Sequence, residues 1–125
     1  MPERTRAQEV LVVEDNGPVR RFVARALRNA GFVALEAENA AKGLDLLRAH
    51  GDSIAVAIID MVMPGMSGLD LAAEVERAHA GIKVLFTSGH VSSIAIEGVA
   101  RRFPEQVLTK PFSEKELLAR VTALL

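Results

Sequence analysis

Short, almost wholly apolar runs recur along the chain and alternate with longer amphipathic stretches. The clearest runs cover residues 10–13 and 54–59, and a third, over residues 82–87, is interrupted by Lys83. Each is too short for a buried helix, so each predicts a buried strand. Two further runs, at residues 32–37 and 106–109, predict two more strands. Strands with so few polar positions are typical of a parallel sheet that helices cover on both sides.

The stretches between the first strands predict helices. After a break at residues 16–18, apolar side chains recur at helical spacing. They form one face, which comprises Val19, Phe22, Val23, Ala26, Leu27 and Ala30. Gly31 follows, where a helix C-cap belongs. A second helix begins at Asn39 and ends at Gly51.

Three further helices are predicted in the second half of the chain. One follows a loop over residues 61–67 and is expected to bury Leu69, Ala72 and Ala73. A weaker helical pattern covers residues 91–102. The last helix opens with a capping box, in which Ser113 and Glu116 each satisfy a free backbone N–H group. Its apolar stripe comprises Leu117, Leu118, Val121, Leu124 and Leu125.

Together these elements form five strand–helix units in series. Right-handed crossovers between parallel strands leave few topologies. We expect an α/β fold, a doubly wound five-stranded parallel sheet of the flavodoxin-like (βα)5 kind with strand order 2-1-3-4-5. A length of 125 residues fits one domain. This domain is expected over residues 8–125, after a flexible N-terminal tail at residues 1–7.

Charge and composition exclude several classes of function. Fifteen Lys and Arg residues against sixteen Asp and Glu residues give a net charge of −1, so the chain lacks the positive field of a general nucleic-acid binder. It has no cysteine, and therefore no disulfide and no thiolate metal site. No apolar run reaches the ~18 residues of a membrane span. The expected location is the cytoplasm.

Polar residues stand where the predicted strands end. The carboxyl ends of parallel strands meet at one edge of an open α/β sheet, and ligands bind there. The residues at these ends are Glu14, Asp15, Asp60, Thr87, Ser88 and Lys110. Neighbouring ionised carboxylates repel one another, and Mg²⁺, which prefers oxygen ligands, would remove that repulsion. The sequence therefore predicts a magnesium site at this edge.

Within this set, Asp60 fits a carboxylate nucleophile that forms an acyl phosphate. Lys110 and Ser88 could then donate to anionic oxygens. Each residue alone also has a structural explanation, because Asp and Ser often cap turns and a lone lysine is usually solvated. The joint pattern at the strand ends favours the functional interpretation. The histidines lack metal-ligand spacing and are interpreted as surface residues, namely His50, His79 and His90.

Four segments together resemble the response-regulator receiver domain of two-component signalling. They read LVVEDN at residues 11–16, IIDMVMPGMSG at 58–68, VLFTSG at 84–89 and KPF at 110–112. The resemblance covers nearly the whole chain, and it implies a receiver domain over residues 8–125. Such a domain accepts a phosphoryl group and is not a turnover enzyme.

The resemblance implies roles for the residues at matching positions. Asp60 would accept the phosphoryl group. Asp15 would bind Mg²⁺ directly and Glu14 mainly through water, with Asp60 and the backbone carbonyl of Val62 as further ligands. Lys110 would contact the phosphoryl group. The phosphoryl donor would be a sensor histidine kinase or a histidine phosphotransfer protein, while the output partner and homodimerisation are left open.

A conformational switch is also implied. We assign the switch hydroxyl to Ser88, because it precedes the small Gly89, and Thr87 is the competing assignment. On phosphorylation Ser88 and Lys110 would shift and bias the face formed by residues 91–102, the last strand and the last helix. The Lys110–Pro111 peptide bond is expected to be cis.

Two features depart from the family pattern. The family usually has an aromatic residue three positions before the lysine, and Val107 stands there, so the aromatic movement of the switch is not expected. Val62 and His90 occupy the two positions that flank the phosphoryl group. Because Val62 cannot orient a hydrolytic water, we expect slow loss of the phosphoryl group unless His90 assists.

Three other classes are the alternatives. A phosphatase of the haloacid-dehalogenase type shares the Asp nucleophile but needs a second acid two residues later, where Val62 stands. A nucleotide-binding α/β domain needs a glycine-rich phosphate loop, which the chain lacks. A pseudo-receiver that acts only by binding a partner would not need the complete acidic set together with Lys110.

Overall fold

A five-stranded parallel sheet forms the centre of the computed structural model, which describes residues 8–89 and 104–125. The strands are β1 (Glu9–Val13), β2 (Val33–Ala37), β3 (Ile54–Asp60), β4 (Lys83–Ser88) and β5 (Val107–Thr109). Their spatial order is β2-β1-β3-β4-β5, and every neighbouring pair is parallel. The predicted fold class and strand order are therefore confirmed.

Four helices connect or follow these strands in the described part of the chain. They are α1 (Gly17–Asn29), α2 (Ala40–His50), α3 (Gly68–Ala78) and α4 (Glu114–Leu124), with short 3-10 turns at Gly51–Ser53 and Pro104–Gln106. The helix predicted over residues 91–102 and the tail at residues 1–7 lie outside the described residues. None of the described helices combines the length and the apolar character needed to cross a membrane.

The helices bury both faces of the sheet. On one face, Leu11 and Ile59 pack with α2 and α3 in a core that includes Leu71. On the other face, Val12 and Ile58 pack with α1 and α4. Because successive strand residues point to opposite faces, strands covered on both sides need apolar residues at every position. This requirement explains the unbroken runs in the sequence.

The predicted helix ends are confirmed where the structure describes them. The Asn16 side chain accepts a hydrogen bond from the Val19 N–H at 3.0 Å at the start of α1. Gly31, with φ 95°, follows the end of that helix in the left-handed region, which glycine adopts without strain. Ser113 and Glu116 form the reciprocal capping box of α4, with distances of 3.0 and 2.9 Å.

The predicted buried face of α3 is correct only in part, because Leu69 and Ala72 pack against the core but Ala73 does not. Leu71 and Val75 are fully buried, whereas Ala73 is exposed and Leu69 and Ala72 are only partly buried. The buried face instead comprises Gly68, Leu71 and Val75, which have helical spacing, and Gly68 approaches the end of β3 closely because it has no side chain. The apolar faces predicted for α1 and α4 also include residues that are exposed in the structure, namely Phe22, Ala30 and Leu125.

The interpretation of the histidines as surface residues is also corrected in part. His50 is partly buried, and its Nδ1 atom lies 3.4 Å from Glu9 Oε1. His79 is partly buried beside Gly51. His50 is the last residue of α2 and His79 directly follows α3, so both lie toward the amino-terminal end of the sheet, away from the acidic edge. His90 lies outside the described residues.

Substitution of Gly68 is expected to destabilise the fold beside Asp60. A Cβ atom on Gly68 would lie 2.7 Å from the Met61 Cα atom and would overlap the Asp60 carbonyl oxygen. We expect Gly68→Ala to lower the free energy of unfolding by about 1–3 kcal/mol, the usual effect of overpacking. The measurement is urea unfolding at neutral pH.

Gly81→Ala is the matched control for this substitution. A Cβ atom on Gly81 has no neighbour within 4 Å, so we expect a change of about 0.5 kcal/mol or less. Equal stability of the two variants would show that the contact between Gly68 and β3 does not constrain the fold.

Candidate functional site

Three carboxylates meet at the carboxyl edge of the sheet. Asp60 is the last residue of β3, and Glu14 and Asp15 directly follow β1. One carboxylate oxygen from each residue lies within 4.8 Å of the other two. Glu14 and Asp60 are buried and Asp15 is exposed. The sequence expectation that these acids converge is therefore met by the geometry.

Lys110 joins the two buried acids. It directly follows β5, and its Nζ atom lies 2.8 Å from Glu14 Oε1 and 3.4 Å from Asp60 Oδ2. Its backbone N–H donates to the Ser88 carbonyl at 2.7 Å, which extends the pairing of β5 with β4. The following Lys110–Pro111 bond is cis, as expected.

Burial and the neighbouring charges shift the pKa values of both partners. Burial raises the pKa of Glu14, the adjacent Asp60 carboxyl acts in the same direction, and Lys110 opposes them. Burial alone would lower the pKa of Lys110, but the contact with Glu14 and the charge of Asp60 outweigh it, so its pKa is raised. Lys110 is therefore a permanent cation at neutral pH.

The backbone around Asp60 holds its carboxylate in place. Asp60 Oδ1 accepts a hydrogen bond from the Val62 N–H at 3.1 Å. The Met61 N–H donates to the Thr87 carbonyl at 3.0 Å, and the Gly68 N–H donates to the Met61 carbonyl at 3.2 Å. The Val62 side chain, by contrast, is 65% exposed and stands at the rim of the site.

The two candidate switch hydroxyls, Thr87 and Ser88, both lie at the end of β4 and are both buried. Thr87 pairs with Asp60 in the strand register, and Ser88 pairs with Thr109. Choosing Ser88 over Thr87 stays a prediction. Val107 is buried in β5, and its carbonyl accepts a hydrogen bond from Arg120 at 2.6 Å.

Sequence analysis missed one residue that contacts the site. Arg20 Nη1 donates to the Glu14 carbonyl at 2.9 Å, and Arg20 Nε lies 3.5 Å from Glu36 Oε1. Arg20 is one of several arginines on the polar side of α1, and nothing in the hydrophobic pattern separates it from the others. One signal in the sequence could have indicated it. Arg20 lies in the first turn of the helix that follows Glu14 and Asp15, which places its side chain near these two residues.

The donor set fits a magnesium ion. Three carboxylates and one ammonium leave a formal charge of −2 around the cluster, which a divalent cation would neutralise. Mg²⁺ takes oxygen ligands, usually one or two of them carboxylates, and keeps several waters. The exposed Asp15 carboxylate leaves one side of the cluster open for those waters.

A doubly wound sheet with clustered acids and a lysine at its carboxyl edge is the arrangement of a signalling receiver domain. The family model of the response regulator receiver domain matches residues 10–122, and the chain belongs to this family. Receiver domains of two-component systems are signalling domains rather than turnover enzymes, and they bind Mg²⁺ in general.

Similar proteins include both kinases and regulators. Sensor kinase CckA of Brucella abortus is 35% identical over 120 residues, which cover 93% of this chain and 12% of the kinase. The phosphate regulon transcriptional regulatory protein PhoB of Pseudomonas aeruginosa is 31% identical, with 93% of this chain and 51% of that protein covered. The chain thus spans only part of these relatives.

Solved structures of receivers share the fold. The chemotaxis protein CheY4 of Vibrio cholerae superimposes with a TM-score of 0.84 over 96% of this chain and 100% of that chain. Its sequence is 23% identical, so the likeness supports the fold alone.

Proposed function

We propose that residues 8–125 form a phosphoacceptor domain in which Asp60 receives a phosphoryl group from a phosphohistidine in a Mg²⁺-dependent reaction. The observation that carries this proposal is the position of Lys110 Nζ, 3.4 Å from Asp60 Oδ2 and 2.8 Å from Glu14 Oε1, beside a third carboxylate. The donor is a sensor histidine kinase or a histidine phosphotransfer protein, and the domain works in the cytoplasm.

In the proposed reaction a carboxylate oxygen of Asp60 attacks the phosphorus atom. An O–P bond forms and the P–N bond of the phosphohistidine breaks. The imidazole ring, protonated on its other nitrogen, keeps the electron pair of that bond and leaves as a neutral side chain. Lys110 balances the charge on the phosphoryl oxygens, as a fixed cation at the developing charge does.

Asp15, Asp60 and the Val62 carbonyl would hold Mg²⁺, with Glu14 acting mainly through water. When bound, the ion offsets the negative charge of the phosphoryl oxygens and of the acids. The carboxylates already lie within 4.8 Å of one another, so little rearrangement of the protein is needed. Positioning and charge compensation, rather than proton transfer, then account for the chemistry.

Val62 sets the expected fate of the phosphoryl group. Its exposed apolar side chain lies at the rim of the site and offers no group that could orient an attacking water. The phosphoryl group is therefore lost slowly in our proposal, unless His90 assists. The same side chain disfavours the phosphatase alternative, which needs an acid at this position.

Treatment with acetyl phosphate and Mg²⁺ should add one phosphoryl group to the wild-type chain. We expect no adduct on Asp60→Asn, because an amide oxygen is a poor nucleophile and cannot form an acyl phosphate. Intact-mass spectrometry measures the adduct, and hydroxylamine should remove it. EDTA should prevent its formation, since the acids then lack their counter-charge.

Asp70→Asn is the control for this experiment, because Asp70 is an exposed acid in the first turn of α3, outside the acidic cluster. It should be labelled like the wild type. A wild-type chain that gains no phosphoryl group would support the pseudo-receiver, and sustained hydrolysis of phosphate esters would support the phosphatase.

An apolar surface beside Lys110 gives a protein donor a place to bind. Phe22 and Phe112 pack with their ring centroids 6.3 Å apart and line a groove of 640 Å³ that reaches Lys110. We expect Phe22→Ala to slow phosphotransfer from a histidine kinase by about tenfold, as loss of a central aromatic contact does. Labelling by acetyl phosphate should be unchanged, because that donor needs no docking surface.

Val33→Ala is the matched control for Phe22, since their exposures are similar, 41% and 42%, and Val33 lies on the edge strand β2. The two donors should be compared on both variants with the kinase that phosphorylates the wild-type chain fastest. An equal effect of Phe22→Ala on both donors would argue against a docking role.

The switch assignment predicts different phenotypes for the two hydroxyls. Ser88→Ala should still be phosphorylated at Asp60 but should lose most of the phosphorylation-dependent shift of the Lys110 amide in ¹H–¹⁵N NMR spectra. The reason is that alanine lacks the hydroxyl that would move toward the phosphoryl group. The Lys110 N–H would report that movement, because it donates to the Ser88 carbonyl at 2.7 Å, a bond that the substitution keeps. Thr87→Ala should keep that shift, and the reverse result would transfer the role to Thr87.

A further inference from the structure

We propose that Arg20 is a positioning residue for the metal ligand Asp15. Glu36 holds the Arg20 side chain, which fixes the peptide between Glu14 and Asp15. The Asp15 carboxylate is thereby directed toward the metal. The inference rests on the proposed function, because it assumes that Asp15 binds Mg²⁺. The Arg20 side chain does not contact the carboxylates of the cluster formed by Glu14, Asp15 and Asp60. It acts through the main chain of the turn that carries them.

The contacts of Arg20 define this role. Its Nη1 atom donates to the Glu14 carbonyl at 2.9 Å, and that carbonyl belongs to the peptide that leads into Asp15. Its Nε atom lies 3.5 Å from Glu36 Oε1. The Arg20 side chain is 18% exposed, so solvent screens these contacts less than it screens a surface ion pair.

Glu36 is itself held from a second side. Arg28 Nη2 lies 3.1 Å from Glu36 Oε2 and also donates to the Ala34 carbonyl at 3.0 Å. The Glu36 carboxylate therefore sits between two guanidinium groups of α1, one from each end of the helix. This arrangement limits the motion of the Arg20 side chain and ties the turn to β2.

Both backbone groups of Glu14, in the turn after β1, are hydrogen-bonded. The Glu14 N–H donates to the Ala37 carbonyl of β2 at 3.0 Å, and the Glu14 carbonyl accepts from Arg20. Within residues 8–89 and 104–125, no side chain or amide donates a hydrogen bond to the Asp15 carboxylate. The direction of Asp15 therefore depends on the backbone that Arg20 holds.

Charge and positioning predict opposite effects for the loss of Arg20. If the guanidinium acted only as a nearby cation, its removal would lower the repulsion of Mg²⁺ and strengthen binding. If it orients the turn, its removal weakens binding, as loss of a group that orients a metal ligand usually does, by about 10- to 100-fold. The sign of the change therefore separates the two roles.

The test is the Kd for Mg²⁺ of the full chain, measured by isothermal titration calorimetry, with urea unfolding in EDTA as the check of folding. We expect Arg20→Ala to weaken Mg²⁺ binding by about tenfold. Arg20→Lys keeps the charge but cannot bridge two acceptors with a planar fork, so it should give an intermediate loss. It also decides the question if Arg20→Ala does not fold.

Arg21→Ala is the matched control, because it removes the same charge from the adjacent, exposed position of α1. It should bind Mg²⁺ as tightly as the wild type or slightly more tightly. Unchanged or tighter binding by both Arg20 variants would overturn the inference and leave the proposed function intact. A wild-type chain that binds no Mg²⁺ would overturn both.

Discussion

The contact of one ammonium group with two buried carboxylates is the interaction on which the site depends. Glu14 and Asp60 lie under the surface at the edge of the sheet, where two like charges would be costly without a partner. Lys110 supplies that partner. It neutralises only one of the two buried charges, and Asp15 adds another at the rim. The pocket is thus stable enough to form and still holds negative charge that attracts a cation.

The same kind of backbone hydrogen bond holds each of these side chains in place. Just beyond the end of its strand, an amide donates to a carbonyl of the neighbouring strand: Glu14 to Ala37, Met61 to Thr87, and Lys110 to Ser88. Each bond continues the parallel pairing by one step. The charged side chains therefore lie where the sheet ends, on backbone that is still hydrogen-bonded to the neighbouring strand.

Most of the fold could be predicted because buried parallel strands leave an unbroken apolar pattern, as in residues 54–59. The acidic cluster followed from the rule that the ends of such strands meet. The buried residues of α3, Gly68, Leu71 and Val75, do follow helical spacing. The glycine gives no hydrophobic signal, however, so its close contact with β3 could not be predicted from the pattern. Arg20 was missed for a related reason. In the sequence, an arginine that donates a hydrogen bond to a backbone carbonyl cannot be distinguished from one that is solvated.

The contact of Gly68 with the Asp60 carbonyl also bears on any attempt to build this pocket elsewhere. Grafting the acids and the lysine onto another doubly wound scaffold would reproduce the charged groups but not the short distance between the strand end and the helix that follows. A design that placed a larger residue at this junction would push the loop outward and displace the Asp60 carboxylate. Gly68 therefore belongs, with the acids and the lysine, to the residues that such a design would have to transfer.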